Sequence, residues 1–174
     1  MALGLRLASH LGDLQQAPAA TTTHMAARAA SDRTAPMRQI TLPGTDLRLS
    51  RLVFGTASLH HRAREADRQA LLRAAIEAGF SHFDTSPMYG NGVAEASLGA
   101  LPRELAQRIT LSTKVGLYAP AGARASVPDL YARKLLGKVL PVLNRAVVDG
   151  SVQRARLSFE ASLRRLRRER VELL

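Results

Sequence analysis

From Arg38 onward the apolar positions fall into short, regular runs. Ile40 and Leu42 alternate with polar neighbours, Pro43, Gly44 and Thr45 read as a turn, and Leu47 and Leu49 alternate again, which predicts a small hairpin. Leu52, Val53 and Phe54 form a compact apolar run ending in Gly55 and Thr56, the pattern of a buried strand opening into a loop that another group can approach closely. Asp67 precedes a helix carrying Leu71, Leu72, Ala75 and Ile76, and Gly79 can stop it. Residues 80 to 85 read as a second strand, Val93 to Leu105 as a helix that Pro102 shortens or splits, and Ile109, Leu111 and Thr113 alternate as a third strand ending near Val115 and Gly116. Three strand-then-helix signals predict parallel β/α construction.

Residues 117 to 150 interrupt that rhythm. Gly122, Pro128, Gly137, Pro141 and Gly150 punctuate short apolar clusters, so the segment is expected to be a long loop. Ser151 can cap the next helix, in which Val152, Ala155, Phe159, Leu163 and Leu166 recur at helical spacing and Glu160 is placed to pair with Arg164. Val171 to Leu174 opens as a fourth strand. A parallel sheet needs both faces covered and its edges managed, so four β/α signals without closing strands predict part of a larger sheet.

Composition narrows the classes. The 174 residues are 46% hydrophobic and 22% charged, enough apolar material for a core and no stretch that would span a membrane. Residues 1 to 36, rich in Ala, Thr and Pro, read as a flexible extension outside the domain at 37 to 174. A weak targeting start and true initiation at Met25 or Met37 are both open for it. The absence of cysteine excludes disulfides, thiolate nucleophiles and thiolate metal centres. The net charge of +11 is spread over several segments rather than gathered in one stripe. Arg164, Arg165, Arg167, Arg168 and Arg170 read as a solvated helix face, with phosphate binding as the competing reading, and only seven Phe and Tyr are available for base stacking.

The sharpest chemical signal is Asp84 to Gly92, where a buried strand should give way to its C-terminal loop. That rim is the usual place for chemistry in a β/α barrel. Asp84 could hold a cation, Tyr89 could donate a proton, and Lys114 lies near the end of the neighbouring strand. An ordinary phenol ionises near pH 10, and a nearby ammonium stabilises a developing phenolate. The bland alternatives are an Asp84 turn cap or an Asp84–Lys114 salt bridge with Tyr89 packed separately. His82 should face the same side as Asp84, in a buried hydrogen-bonding role. His60 and His61 read as exposed loop residues, Gly90-Asn91-Gly92 as a turn, and no histidine has the partners of a metal site.

Taken together, Leu52-Val53-Phe54-Gly55-Thr56, Ala75-Ile76-Glu77-Ala78-Gly79, Phe83 to Gly90, Ser112-Thr113-Lys114-Val115-Gly116 and Ser162-Leu163-Arg164-Arg165-Leu166 resemble the aldo/keto reductase family, over roughly residues 38 to 117 and 151 to 174. The resemblance implies an α/β fold, a partial TIM barrel with an N-terminal β-hairpin and about four of its eight β/α units. It implies reversible hydride transfer between NADP or NAD and a small carbonyl or alcohol, a sugar among the candidates, in the cytoplasm and without specific nucleic acid. Tyr89, Lys114 and Asp84 match the family's catalytic residues, and Gly55, Thr56 and Asp84 match the rim beside the nicotinamide. The family's histidine follows the fourth strand, and Val171-Glu172-Leu173-Leu174 matches only the approach to it. A short, inactive barrel fragment is therefore also expected as an alternative, as a scaffold or basic binding protein that self-associates or pairs with a missing barrel half.

Overall fold

The computed structural model describes residues 37 to 120 and 122 to 174. The expected extension at 1 to 36 lies outside the described residues. Strands β1 (Gln39–Thr41) and β2 (Arg48–Ser50) form the antiparallel hairpin, with Ile40 opposite Leu49. Thr45 closes its turn by donating both its backbone N–H and its hydroxyl to the Leu42 carbonyl, at 3.1 and 3.0 Å. Ser50 stitches the hairpin to the main sheet, since its N–H donates to Ser81 Oγ at 2.7 Å and its Oγ accepts from the Ser81 N–H at 3.0 Å.

The main sheet is parallel, in the order β3 (Phe54–Gly55), β4 (His82–Asp84), β5 (Thr110–Ser112). Leu173 extends it through a parallel bridge to Ser112. The sheet is unclosed, and with its hairpin and flanking helices it is a partial (β/α) barrel. Alternation along the strands sorts the side chains. Phe83 and Leu111 point to the helices and are essentially inaccessible, while His82, Asp84, Thr110 and Ser112 share the other face.

Helix α1 (Glu65–Glu77) begins slightly before Asp67, which pairs with Arg64 at 2.9 Å, and it stops at Gly79, whose φ of 93° suits glycine. It buries Leu72, Ala75 and Ile76 against Phe83 and Leu111. Each large side chain buried there stabilises the fold by roughly 1.5–3 kcal/mol. The expected helix after β4 is split into α2 (Val93–Gly99) and α3 (Arg103–Ala106), as Pro102 dictates. Helix α5 (Val152–Leu166) packs closely across α2, and the contact requires Gly99, because a Cβ there would fall 2.1 Å from the Arg165 carbonyl oxygen. Ser151 caps α5 by accepting from the Arg154 N–H at 3.3 Å.

Four local expectations need correction. Leu52 and Val53 are 58% and 47% exposed, because β3 pairs with β4 alone and nothing among the described residues covers its outer side. The segment at 117 to 150 is more ordered than a loop: β6 (Leu117–Tyr118) pairs antiparallel with β7 (Val147–Val148), around helix α4 (Val127–Leu136) and a short 3-10 turn. Strands of two residues offer no alternation to detect. Glu160 pairs backwards with Arg156 at 3.1 Å instead of with Arg164. The arginine run is not one solvated face, since Arg165 binds the buried Glu95 at 2.7 Å and Arg168 donates to the carbonyls of Ala106 and Ile109. No helix among the described residues is long and apolar enough to cross a membrane.

Candidate active site

The register of the parallel sheet builds the site. Asp84 lies opposite Ser112 and beside Gly55, so the C-terminal ends of three strands meet at one carboxylate. Lys114, two residues past Ser112, returns its ammonium to this point. Its Nζ donates to both Asp84 oxygens at 2.6 Å and to the Thr85 carbonyl at 3.0 Å. Ser112 Oγ adds a hydrogen bond to Asp84 Oδ1 at 2.9 Å. Tyr89 enters from the loop after β4, with its hydroxyl 3.5 Å from Asp84 Oδ2 and the Lys114 ammonium 5.0 Å from its ring centroid. The three groups singled out in the sequence therefore converge on one space.

Burial alone would lower the Lys114 pKa, but hydrogen bonding and attraction from Asp84 and Tyr89 outweigh it and hold the ammonium above the usual lysine value. The pair is not sealed from solvent: the Lys114 and Asp84 side chains are 45% and 32% exposed. The rim is open to solvent, and the Lys114 ammonium is fixed there against Asp84.

Gly55 and Thr56 play different structural parts. Gly55 is exposed, and a Cβ built on it meets nothing within 4 Å, so a flat ring has room to lie against the backbone beside Asp84. Thr56 is 1% exposed, and its N–H and hydroxyl both donate to the Asp84 carbonyl, at 3.0 and 2.9 Å. It ties β3 to β4 below the rim.

His82 is buried and shares a hydrogen bond with its register partner, through Nδ1 to Thr110 Oγ1 at 2.7 Å. Burial lowers its pKa, against the opposing pull of Glu172 and Asp84. His60 departs from the exposed reading, since it packs over Gly90 with Nδ1 buried and without a hydrogen-bond partner among the described residues. His61 is exposed.

The sequence reasoning passed over two supports. Ser112 could have been found from its position two residues before Lys114, which puts it on the Asp84 face of its strand. Glu95 is fully buried and accepts from Thr113 Oγ1 at 2.8 Å and from Arg165 Nε at 2.7 Å, which anchors the residue next to Lys114 to α2 and α5. A lone Glu in a helix pattern gives no such signal, because its partners lie 18 and 70 residues away in the chain.

Residues 51 to 174 match the model of the aldo/keto reductase family. Among known proteins, pyridoxal 4-dehydrogenase of Microbacterium luteolum is 35% identical over 136 residues, covering 75% of this chain and 40% of that protein. The 6-dehydroglucose reductase of Agrobacterium fabrum is 31% identical over 134 residues, covering 74% and 39%. Among solved structures, an aldo-keto reductase from Bacillus halodurans in its holo form superposes with a TM-score of 0.61 at 25% identity, over 79% of this chain and 40% of that one. The glycerol dehydrogenase of Gluconobacter oxydans superposes with a TM-score of 0.55 at 27% identity, over 76% and 37%. The chain thus spans about two fifths of the length of these relatives.

Proposed function

The chain belongs to the aldo/keto reductase family, and on that premise we propose that Asp84, Tyr89 and Lys114 are the proton-handling unit of an NAD(P)-dependent oxidoreductase acting on a small carbonyl or alcohol. The observation that carries this reading is the seating of one ammonium on both oxygens of Asp84, beneath a tyrosine hydroxyl at the same carboxylate. A simple structural salt bridge would not need the phenol.

A nicotinamide nucleotide, when bound, supplies or accepts the hydride. Gly55 fits such a group by leaving open space at an exposed strand end, and Asp84 borders that space. Tyr89 gives its phenolic proton to the carbonyl oxygen during reduction and takes a proton from the alcohol in the reverse direction. Lys114 stabilises the negative charge that develops on the phenolic oxygen. Asp84 holds Lys114 charged and aimed, and Ser112 holds Asp84. Thr56 keeps the strand ends in register. The dehydrogenase and reductase names of the relatives favour small polar carbonyl and alcohol substrates, sugars included.

The test is nicotinamide fluorescence titration of the purified protein with NADPH and NADH, followed by turnover of a short aldehyde. Saturable binding and turnover that Tyr89→Phe removes would support the reading. Turnover that Tyr89→Phe leaves unchanged would defeat the role of Tyr89, and failure to bind either nucleotide would defeat the cofactor reading for this chain. The competing nucleic-acid reading finds less support, since two of the arginines it needs are held by Glu95 and by backbone carbonyls.

A further inference from the structure

The insert between β6 and β7 carries much of its apolar material outward. Leu130 is the buried residue of α4, and the inner side of the helix is held twice, because Arg133 pairs with Asp129 at 2.9 Å and donates to the Leu143 carbonyl at 3.4 Å. On the opposite stripe Tyr131, Leu135 and Val139 follow one another at four-residue spacing, and Leu135 and Val139 are 67% and 81% exposed. The coil runs on past the end of α4, since the Leu140 N–H donates to the Leu136 carbonyl at 2.9 Å, so Val139 stays in line with Leu135. Leu136, Leu140 and Val142 widen the exposed apolar surface. Single exposed aliphatic side chains need no explanation, but a cluster of this kind marks a surface that another phase or molecule covers.

Charge identifies the occupant. From Leu130 to Val148 the chain carries Arg133, Lys134, Lys138 and Arg145 and no Asp or Glu. Arg133 serves the inner side. Lys134, whose ammonium lies 5.7 Å from the Tyr131 ring centroid, and Lys138, one turn further along, border the apolar stripe; both are exposed and form no salt bridge among the described residues. Their long stems let the ammonium groups stay at the level of anions while the neighbouring Leu and Val side chains go deeper. A second copy of the chain would set these lysines against lysines across a two-fold interface, in a protein whose net charge is already +11. A nucleic acid would leave the Leu and Val side chains without partners, Tyr131 being the one ring in the segment. An acidic protein groove would have to close round α4, whose inner side is already taken. A flat phase with an anionic skin and an apolar interior meets both features at once.

We propose that the outer face of α4 and the turn after it is a docking surface for an anionic lipid membrane, with Leu135 and Val139 seated in the headgroup boundary and Lys134 and Lys138 at the level of the lipid phosphates. The protein lies on such a membrane and does not cross it. The insert follows Lys114 at the C-terminal ends of the strands, whereas the β1–β2 hairpin is stitched through Ser50 and Ser81 to the start of β4. Docking therefore brings the insert to the lipid and leaves the hairpin in solvent.

The test needs no turnover, so its failure is separate from failure of the oxidoreductase reading. The purified protein is floated with vesicles of phosphatidylcholine alone and with vesicles containing about 30% phosphatidylserine. Binding to the anionic vesicles should be about tenfold tighter or more, and added salt should release the protein. Because the chain has no cysteine, Val139→Cys and Thr41→Cys each accept a single environment-sensitive fluorophore. The label in place of Val139 should shift to the blue on anionic vesicles, and the label in place of Thr41 on the hairpin should not. Leu135→Ser combined with Val139→Ser, at exposed positions that do not threaten folding, should weaken binding about tenfold. Lys134→Gln combined with Lys138→Gln should weaken it by a similar factor. The proposal is overturned by absence of binding to anionic vesicles, by equal binding to both vesicle types, by an unshifted label in place of Val139, or by full affinity in the double serine variant. A dimer that the double serine variant dissociates assigns the face to a second copy, and duplex RNA that displaces the vesicles and binds the double serine variant unchanged assigns it to nucleic acid; either result overturns the lipid assignment.

Discussion

Lys114 Nζ lies 2.6 Å from each carboxylate oxygen of Asp84, and the pair joins the ends of adjacent parallel strands at the mouth of the sheet. The contact raises the lysine pKa in the folded protein above its ordinary value of 10.5. A group raised on folding contributes stability that is fully present below its unfolded pKa and lost as pH rises through the folded one. Chemical denaturation at pH 8 to 11 should therefore show a loss of stability at the alkaline end that is smaller in Lys114→Met. With the side chain 45% exposed, solvent screens the pair and the difference should be modest. Identical alkaline slopes for the two proteins would remove Lys114 from the coupled unit.

Tyr89 offers a different readout, because its hydroxyl and not its ring is the proposed proton donor. Tyr89→Phe keeps the ring beneath the Lys114 ammonium and deletes only the atom that lies 3.5 Å from Asp84. Single-turnover hydride transfer should slow by about 10²-fold or more. Nucleotide affinity from fluorescence titration should stay within about twofold, as the deleted oxygen is not proposed to touch the nucleotide. A parallel loss of affinity would recast Tyr89 as a binding residue.

Much of this site was legible because its residues sit at strand ends, where a two-residue period fixes the face. Asp84 and Lys114 could be placed on one rim from their strand-end positions, Tyr89 stood out in the loop that follows Asp84, and the family resemblance matched all three. The hairpin, the parallel order and the break at Pro102 followed from turn residues and apolar spacing. The illegible parts depended on distance in sequence or on missing neighbours. Leu52 and Val53 read as core because an apolar run says nothing about whether a neighbouring strand covers it. Tyr118 and Val148 sit in strands too short for any period. Arg165 looked like one charge in a solvated row until Glu95 arrived from another helix.

The buried His82 and the half-buried His60 predict the acid side. Burial depresses His82 against the pull of Glu172 and Asp84, and burial, then His61 and Lys134, depress His60. Each is neutral when folded at a pH where the unfolded chain holds a proton. Stability contributed by the neutral form is therefore present above the ordinary imidazole value of 6.5 and falls as pH drops below it. The denaturation midpoint should decline between about pH 6.5 and pH 5, and His82→Asn, which can keep a hydrogen bond to Thr110, should flatten that decline. A wild-type midpoint that does not fall over this range would contradict the effect, and an equal slope in the variant would assign it elsewhere.

The Glu95–Arg165 pair should be the most costly single contact to break at the periphery of the site. Glu95 has no accessible surface, whereas the Arg165 side chain is 26% exposed. The asymmetry sets the order of the variants. Arg165→Met strands a carboxylate that water cannot reach, with the Thr113 hydroxyl as the one side-chain donor left to it among the described residues. Glu95→Leu frees a guanidinium that can turn toward solvent, but deprives Thr113 of its acceptor. Breaking a buried pair from one side costs about 3–5 kcal/mol, and Arg165→Met should lie at the upper end of that range. Replacing both residues removes the uncompensated charge, so the double variant Glu95→Leu with Arg165→Met should be more stable than Arg165→Met alone. Urea denaturation of the four proteins closes the cycle. If the two single losses simply add in the double variant, the residues are not coupled, and the anchoring of Thr113 and Lys114 through α2 and α5 must rest on packing at Gly99.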